Sequence, residues 1–511
     1  MLTQELVYLV NAGNDPGMSA IANDHSFPAL GVLALGTWLQ AKIPDIKVVV
    51  RDGGVMANEA IIAEIARLRP GLVGVSALCT SYQSSLEIAQ AAKDCGAKVV
   101  LGNDQASQLS RKILRNRPYV DFVLGSEYGE RPLELLVRAL RGEPIDLSRI
   151  PDLTYRQGGD ICGFDYDTDR GLLSIVQTPA YDVKRRDTAL DMFPIPDRSL
   201  YPDSHWQSYL DNYLDKFAAL HGVPVTGVTT MNRARGCSRS KEAIKCKHCD
   251  MLLDIAFSSP EMFWAEVRQA HAQVGANVFY EVCDSFSSFP RLAERIARAR
   301  PADLGFEPQF FVYCQAIDLV RSSDMARRLK DMGVFRVNIG LESGCDVTLN
   351  HMKGAHDTVA VNYRALQLVK EQGIHVYGSF VLGTDPETPA TLGETVRWVK
   401  RIIDEELIAD VEAQPILPLP NNYYGRRLAS SALLESAERE LDWPWDTDEL
   451  AHRYIDAFSG VSYGQIIEAA NEIRAYARAA NLNFGSGVSR AEKYQQNATD
   501  LVPARERLRQ A

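Results

Sequence analysis

From residue 5 to residue 141, short apolar runs take turns with amphipathic segments, and that alternation restricts the fold more than any other feature of the chain. LVYLV (6–10), IKVVV (46–50), LVGVS (72–76), KVVLG (98–102) and DFVLG (121–125) read as buried strands. The segments between them, 29–42, 57–69, 81–95, 106–116 and 130–141, carry helical spacing, as at Ile61, Ile65 and Leu68. Strands apolar on both faces and joined by helices predict a parallel sheet covered on both sides, a doubly wound, Rossmann-like α/β domain. Ligands of such sheets sit beyond the carboxyl ends of the strands. Here those ends run through Asn11 to Asn14, Asp52 to Gly54, Ser76 to Thr80, Gly102 to Asp104 and Gly125 to Glu127. Small and polar residues let a ligand approach the backbone, although short loops carry them in any case. Ser76, Gly102 and Gly125 are the candidate cofactor contacts of this domain. No G-x-G-x-x-G follows the first strand, which disfavours a dinucleotide.

The alternation restarts near residue 224. VTGVTTM (225–231) reads as a strand, with further strands expected at 277–282, 303–308, 335–340, 374–382 and 410–416. Helices are expected at 289–299, 322–332, 357–372 and 389–403. One more helix has both ends marked: Ser259 as N-cap, Pro260 in its first turn, an apolar stripe of Phe263, Val267, Ala270 and Val274, and Gly275 as its stop. Six βα units of this size suit a partial (β/α)6 TIM-like barrel, in which chemistry lies at the C-terminal strand ends. Those ends hold Arg235-Gly236-Cys237, Glu281 to Asp284, Gly340 to Gly344 and Gly378 to Gly383. The last stretch is rich in Ala, Glu and Arg at helical spacing and predicts a helical cap over the open side of the barrel. His452, Tyr454, Trp443 and Trp445 are placed to line a pocket beneath it, with core packing the plainer reading for each. The organisation expected is therefore 1–145, a linker over 146–220, a barrel over 221–425 and a cap over 426–511.

Three cysteines, Cys237, Cys246 and Cys249, cluster as C-x8-C-x2-C in the loop after the first barrel strand. The chain holds 9 cysteines, an odd number scattered over 511 residues, which does not describe a secreted disulfide framework. A structural zinc site wants four ligands, and His248 is the nominal fourth. It sits between Lys247 and Cys249, where it would have to turn to the same ion as both flanking cysteines. A 4Fe-4S cluster on three thiolates leaves one iron open to a substrate or cosubstrate, and a barrel mouth favours that arrangement.

At this point the chain resembles the radical S-adenosylmethionine (SAM) enzymes of the subgroup with an N-terminal cobalamin-binding-type domain. The resemblance runs over residues 5 to 425. It rests on an ordered set: Phe27-Pro28-Ala29-Leu30-Gly31, Val73 to Ala77, Val99 to Gly102, Asp121 to Glu130, Phe193-Pro-Ile-Pro196-Asp197-Arg198, Arg235-Gly236-Cys237, Gly340 to Gly344, Met352-Lys353-Gly354, Leu382 to Thr388 and Leu417 to Pro420. The resemblance implies that Cys237, Cys246 and Cys249 ligate three irons and that the amino and carboxylate groups of SAM chelate the fourth. One-electron reduction then breaks a C–S bond of SAM. By strand order, Glu281 or Asp284 would receive the SAM amino group, Glu342 the ribose, and Gly378 to Gly383 the adenine.

Two departures qualify the match. The usual spacing is C-x3-C-x2-C, whereas SRSKEAIK separates Cys237 from Cys246. The longer loop carries Arg239, Lys241 and Lys245, either solvated decoration or cations set beside a redox cluster or an anionic substrate. A D-x-H-x-x-G segment, whose histidine would ligate cobalt, is absent, His25 has the wrong context, and Asn103-Asp104-Gln105 stands where relatives carry Gly-Pro-His. Cobalamin is therefore a candidate second cofactor rather than a fixed one.

The expected activity is radical SAM chemistry on a small molecule, with cobalamin-dependent methylation of carbon or phosphorus first, transfer of the 3-amino-3-carboxypropyl group second, and a non-catalytic iron–sulfur or zinc sensor third. Such chemistry needs an external electron donor such as flavodoxin or ferredoxin. A net charge of −11 gives no general attraction to nucleic acid or an anionic membrane. No run of apolar residues is long enough for a span and the N-terminus has no basic leader, so the expected location is the cytoplasm.

Overall fold

A computed structural model describes residues 4–15, 25–125, 128–157, 174–179, 189–241, 244–250, 255–322, 324–434, 442, 447–480 and 482–484. The first sheet is built from β1 (Leu6–Asn11), β2 (Lys47–Asp52), β3 (Leu72–Ser76), β4 (Lys98–Gly102), β5 (Phe122–Leu124), β6 (Leu153–Gln157) and β7 (Ser174–Gln177), in the order β2-β1-β3-β4-β5-β6-β7. The first five strands are parallel, and β3 and the centres of β1 and β4 are buried, which is why they read as continuous apolar runs. β6 pairs antiparallel with β5 and β7 antiparallel with β6, inside the stretch expected to be a linker. The helix expected over 106–116 is two helices, Asp104–Gln108 and Ser110–Asn116, parted at Leu109.

The second sheet is a run of parallel neighbours: β8 (Val228–Met231), β11 (Val278–Glu281), β12 (Gln309–Cys314), β13 (Val334–Glu342), β14 (His375–Leu382), β15 (Asp410–Pro415) and β16 (Asn483–Phe484). A small antiparallel pair, β9 (Ala234–Arg235) and β10 (Ala256–Phe257), brackets the cysteine loop. The helix Pro260–Val274 has the ends the sequence marks: the Ser259 hydroxyl accepts from Met262 N at 3.2 Å, and Gly275 ends it at φ +68°. The strand expected at 303–308 is a correction. That segment holds Asp303, Gly305 at φ +76° and Pro308, while the adjoining QFFVYC forms β12 between β11 and β13. The helix expected at 322–332 is Met325–Met332, and a further short helix, Ala316–Arg321, precedes it.

The lower end of the barrel is closed by aromatic rings, Phe217, Phe311 and Tyr377, stacked about the buried Arg336 guanidinium, which pairs with Asp410 at 2.7 Å. Arg198, from the Pro-Ile-Pro-Asp-Arg segment, is fully buried against β8: it donates to Thr230 O at 2.7 Å and Thr229 Oγ1 at 2.9 Å and pairs with Glu266 at 2.8 Å. The opposite carboxylate oxygen of Glu266 pairs with Arg233, so one buried acid ties the connecting segment to the entrance of the cysteine loop. Where a helical cap is expected, helices Tyr423–Ser430 and Thr447–Phe458 follow β15, and Tyr463–Ala479 packs beside the barrel against β15 and the helix Pro389–Asp404, leading to β16 at the sheet edge. Tyr454 is buried among Tyr424 and Phe458 with its hydroxyl on Asp385, whereas His452 is half-exposed and pairs with Asp456. Trp443 and Trp445 lie outside the described residues.

Candidate active site

The C-terminal strand ends of the two sheets line a common cavity of about 870 Å3. The first sheet contributes Asn11 to Asn14, Asp52, Ser76, Gly102 and Leu124, and the barrel contributes Asn232, Arg235, Val282, Asp284 and Gln414. Asp52 shapes this wall: its carboxylate accepts from Asn11 Nδ2 and Gly54 N at 2.9 Å and from Ala29 N at 2.8 Å, which draws the Phe27-Pro-Ala-Leu-Gly turn over the strand ends. Ser76 lines the cavity with its hydroxyl held by Asn103 Nδ2 at 2.9 Å. A Cβ at Gly102 would find only the Leu124 carbonyl, at 3.8 Å, so the missing side chain leaves open room. Gly125 does not line the cavity; its N–H donates to Asp152 O at 2.9 Å and serves the sheet edge. His25 is at the rim, with Nδ1 2.6 Å from Gly54 O.

The lining suits a large, amide-fringed cofactor such as cobalamin. It is mostly apolar, and its volume is near the upper end for cofactor pockets. Glu130 faces it almost wholly buried, with its pKa raised by that burial, and its Oε2 meets no hydrogen-bond partner among the described residues. An orphaned buried acid wants a polar partner from a bound molecule. The acetamide and propionamide arms of a corrin supply that chemistry.

On the barrel side, Gly236 turns the chain at φ +95°, a conformation that favours glycine, and its N–H donates to Asp284 Oδ2 at 2.9 Å. Cys237 follows. Its thiol accepts from Gln315 Nε2 at 2.5 Å and from Arg239 N at 3.4 Å, and burial pushes its pKa up to about 11. Burial also raises Cys246, and the negative charges of Cys246 and Cys249 bear on Cys237, which places the three sulfurs in one neighbourhood. Iron binding must displace their protons. Among the described residues no three His, Cys, Asp or Glu side chains converge on a single ion. A cluster makes no such demand, because each thiolate meets a different iron. His248 Nε2 lies 3.5 Å from Glu342 Oε1, its Nδ1 meets no hydrogen-bond partner among the described residues, and burial depresses its pKa.

Of the strand-end acids, Glu281 is fully buried, accepts from Arg233 N and Ala234 N, and has its pKa raised well above the usual range by burial. Asp284 faces the cavity, and burial lifts its pKa to about 6. Glu342 sits at φ +60° where the β13–β14 register slips between Gly340 and Glu342, a bulge that re-aims its side chain. Burial opposes its charge, but Lys353 Nζ at 3.0 Å and His248 outweigh burial and hold its pKa below the ordinary value. Lys353 is the lysine of Met352-Lys353-Gly354, and it also donates to Gly340 O at 2.5 Å. On β14, Gly378 packs a bare backbone against Leu341, where a Cβ would come within 2.9 Å of Cδ1. Gly383, at φ +91°, packs under Ile455 and donates its N–H to Glu387 Oε2 at 2.5 Å. Neither glycine lines the cavity described above.

One residue escaped the sequence reading, and one stood there between two readings. Gln315, at the end of β12, reaches Cys237, and Arg239 of the long loop turns inward rather than to solvent. The displaced β12 hid the first; nothing local in the sequence marks the second.

The pattern of the Radical SAM superfamily matches residues 231–399, and that of the B12 binding domain matches residues 21–137. The chain is similar to the anaerobic magnesium-protoporphyrin IX monomethyl ester cyclase of Cereibacter sphaeroides, at 24% identity over 67% of this chain. It spans only 51% of that protein's length. It is 24% identical to an uncharacterized methyltransferase of Pyrococcus horikoshii, over 81% of each chain. Among solved structures it is similar in fold to OxsB, a cobalamin-dependent SAM radical enzyme with aqua-cobalamin and SAM bound, with a TM-score of 0.58 at 18% identity, covering 94% of this chain and 62% of that one. The two matched patterns fall on the two sheets whose strand ends share the cavity, and the chain carries a B12-binding domain followed by a radical SAM domain.

Proposed function

We propose that the chain methylates an unreactive carbon or phosphorus centre of a small molecule, with cobalamin in the inter-sheet cavity and SAM at a 4Fe-4S cluster on Cys237, Cys246 and Cys249. The carrying observation is the cavity itself, about 870 Å3 and walled by the strand ends of both sheets, so that a cofactor held by the first domain faces the barrel mouth. The bound groups supply a one-electron reductant and a methyl carrier. The chain supplies placement. Gly236, fixed by Asp284, sets the entry of the cysteine loop, and Asp284 is the better candidate than Glu281 for the SAM amino group because Glu281 is committed to backbone. Glu342, aimed by its bulge and kept charged by Lys353, is assigned to the ribose. The backbone of Gly378 to Gly383 is assigned to the adenine. The aromatic floor of the barrel keeps water from entering below.

Among the described residues no helix is long and apolar enough to cross a membrane. We assign the reaction to the cytoplasm, with electrons from a flavodoxin- or ferredoxin-type donor. The test is anaerobic purification with iron, sulfide and cobalt quantification, followed by dithionite, SAM and mass spectrometry. Formation of S-adenosylhomocysteine with 5′-deoxyadenosine supports the reading. Methylthioadenosine as the SAM product would overturn it in favour of 3-amino-3-carboxypropyl transfer, and a spectrum indifferent to SAM would leave a non-catalytic protein.

A further inference from the structure

The eight residues between Cys237 and Cys246 fold one cation back onto the thiolates. Arg239 is 13% exposed, although it belongs to a loop whose Lys241 is open to solvent. Its Nη2 pairs with Asp357, itself buried, and its Nη1 donates to the Lys353 carbonyl. The same Nη1 stands 4.0 Å from Cys246 Sγ, and the Arg239 backbone N–H points at Cys237 Sγ at 3.4 Å. One residue thus addresses two of the three sulfurs, and Gln315 Nε2 adds a side-chain N–H to Cys237 at 2.5 Å. Asp357 and the Lys353 carbonyl hold the fork in place, so its orientation does not depend on the thiolates.

Reduction potentials of iron–sulfur clusters are set by net charge, by hydrogen bonds to the sulfurs and by solvent exposure. A fixed guanidinium beside one thiolate and N–H donors on another stabilise the more negative, reduced form. We propose that the long loop exists to seat Arg239, which together with Gln315 raises the reduction potential of the cluster and so eases its one-electron reduction by a flavodoxin- or ferredoxin-class donor. This rests on the reading that Cys237, Cys246 and Cys249 hold a 4Fe-4S cluster. Lys241 is the internal control, a cation of the same loop without that contact.

The test is an anaerobic redox titration of the full chain followed by electron paramagnetic resonance, with iron and sulfide counted on every sample. Arg239→Met and Arg239→Gln are expected to keep the cluster and to lower the midpoint by about 59 mV, a tenfold change in the reduced-to-oxidised ratio at fixed potential. Gln315→Leu is expected to shift in the same direction, and Lys241→Met to titrate as wild type. A loaded Arg239→Met or Arg239→Gln protein with an unmoved midpoint would overturn the proposal. Failure of both neutral variants to hold iron would overturn it as well, because Arg239 would then be an assembly residue. Wild-type protein without iron would instead sink the reading of the site, and the two failures are distinguished by the metal count.

Discussion

The backbone N–H of Arg233 donates to both carboxylate oxygens of Glu281, at 3.0 and 3.1 Å, and Ala234 N adds a third contact at 3.2 Å. A strand-end acid that looks like a ligand for a substrate amine is instead the anchor of the segment leading into the cysteine loop. Arg233 is held from its other end by Glu266, which also takes Arg198. The loop is therefore pinned from β11, from the helix Pro260–Val274 and from the connecting segment together.

Truncating that anchor should unseat the cluster rather than weaken SAM binding. Glu281→Ala leaves two buried N–H groups without acceptors, at about 1–3 kcal/mol each. Its iron content is expected to fall by at least about half under the same reconstitution. Glu281→Gln keeps an acceptor and a neutral group of the same shape, which burial already favours, and should retain iron close to wild type. Iron counting on the two purified variants decides it; equal iron in Glu281→Ala and wild type would remove the anchoring role.

His248 offers a sharper separation. Its Nε2 lies 3.5 Å from Glu342 Oε1, so His248→Ala should keep the iron and sulfide of the parent. Cys237→Ala, Cys246→Ala and Cys249→Ala should each lose the cluster, because a cluster held by three thiolates has no protein ligand to spare. The visible absorption of anaerobically reconstituted protein reports both outcomes at once. Iron loss in His248→Ala to the level of the cysteine variants would make it a ligand.

The cobalamin wall can be tested without turnover. Gly102 lines the cavity, and a Cβ added there would clash with nothing, its nearest neighbour being the Leu124 carbonyl at 3.8 Å. Gly102→Val also suits a strand. It is expected to leave the melting temperature within a few degrees and to raise the Kd for hydroxocobalamin at least about tenfold, or about 1.4 kcal/mol. Unchanged affinity in Gly102→Val would place the cofactor elsewhere.

What the sequence could disclose followed from local physics. Apolar runs bounded by turn residues located both sheets, and Ser259, Pro260 and Gly275 marked the ends of one helix correctly. β6 and β7 were invisible because LTYRQ and SIVQ are short, partly polar pieces at a sheet edge, where periodicity is weak. The expectation for β12 falls short because Leu304 and Phe306 alternate as in a strand, whereas Gly305 and Pro308 break that segment and the strand begins at Gln309. In the site, the cysteines and Glu342 announced themselves by type and position. Arg239 was one of three loop cations with two readings open, and the sequence could not choose between them, because its partner Asp357 lies 118 residues away and only the folded barrel brings them together. Glu281 and Asp284 are three residues apart in sequence, yet one is committed to backbone and the other faces the cavity, a distinction that exists only in the folded barrel.

Glu387, in the Leu382 to Thr388 segment that follows β14, should give the protein a measurable pH signature. It is fully buried, its Oε2 accepts from Gly383 N at 2.5 Å, and its Oε1 has no partner among the described residues. Burial lifts its pKa from 4.5 to about 7, against the opposing effect of the backbone N–H donors. The folded protein therefore binds a proton more tightly than the unfolded chain does. This contribution is fully present below about pH 4.5 and is lost as pH rises to about 7, so the slope of stability with pH from this group is negative across that window. The whole span corresponds to about 3 kcal/mol. Urea midpoints of the ligand-free chain measured from pH 5 to pH 8 should fall more steeply in wild type than in Glu387→Gln, which carries no titrating proton there. Parallel profiles for the two proteins would mean that Glu387 is solvated in the folded state and that the Gly383 turn is not sealed by Ile455 as its packing implies.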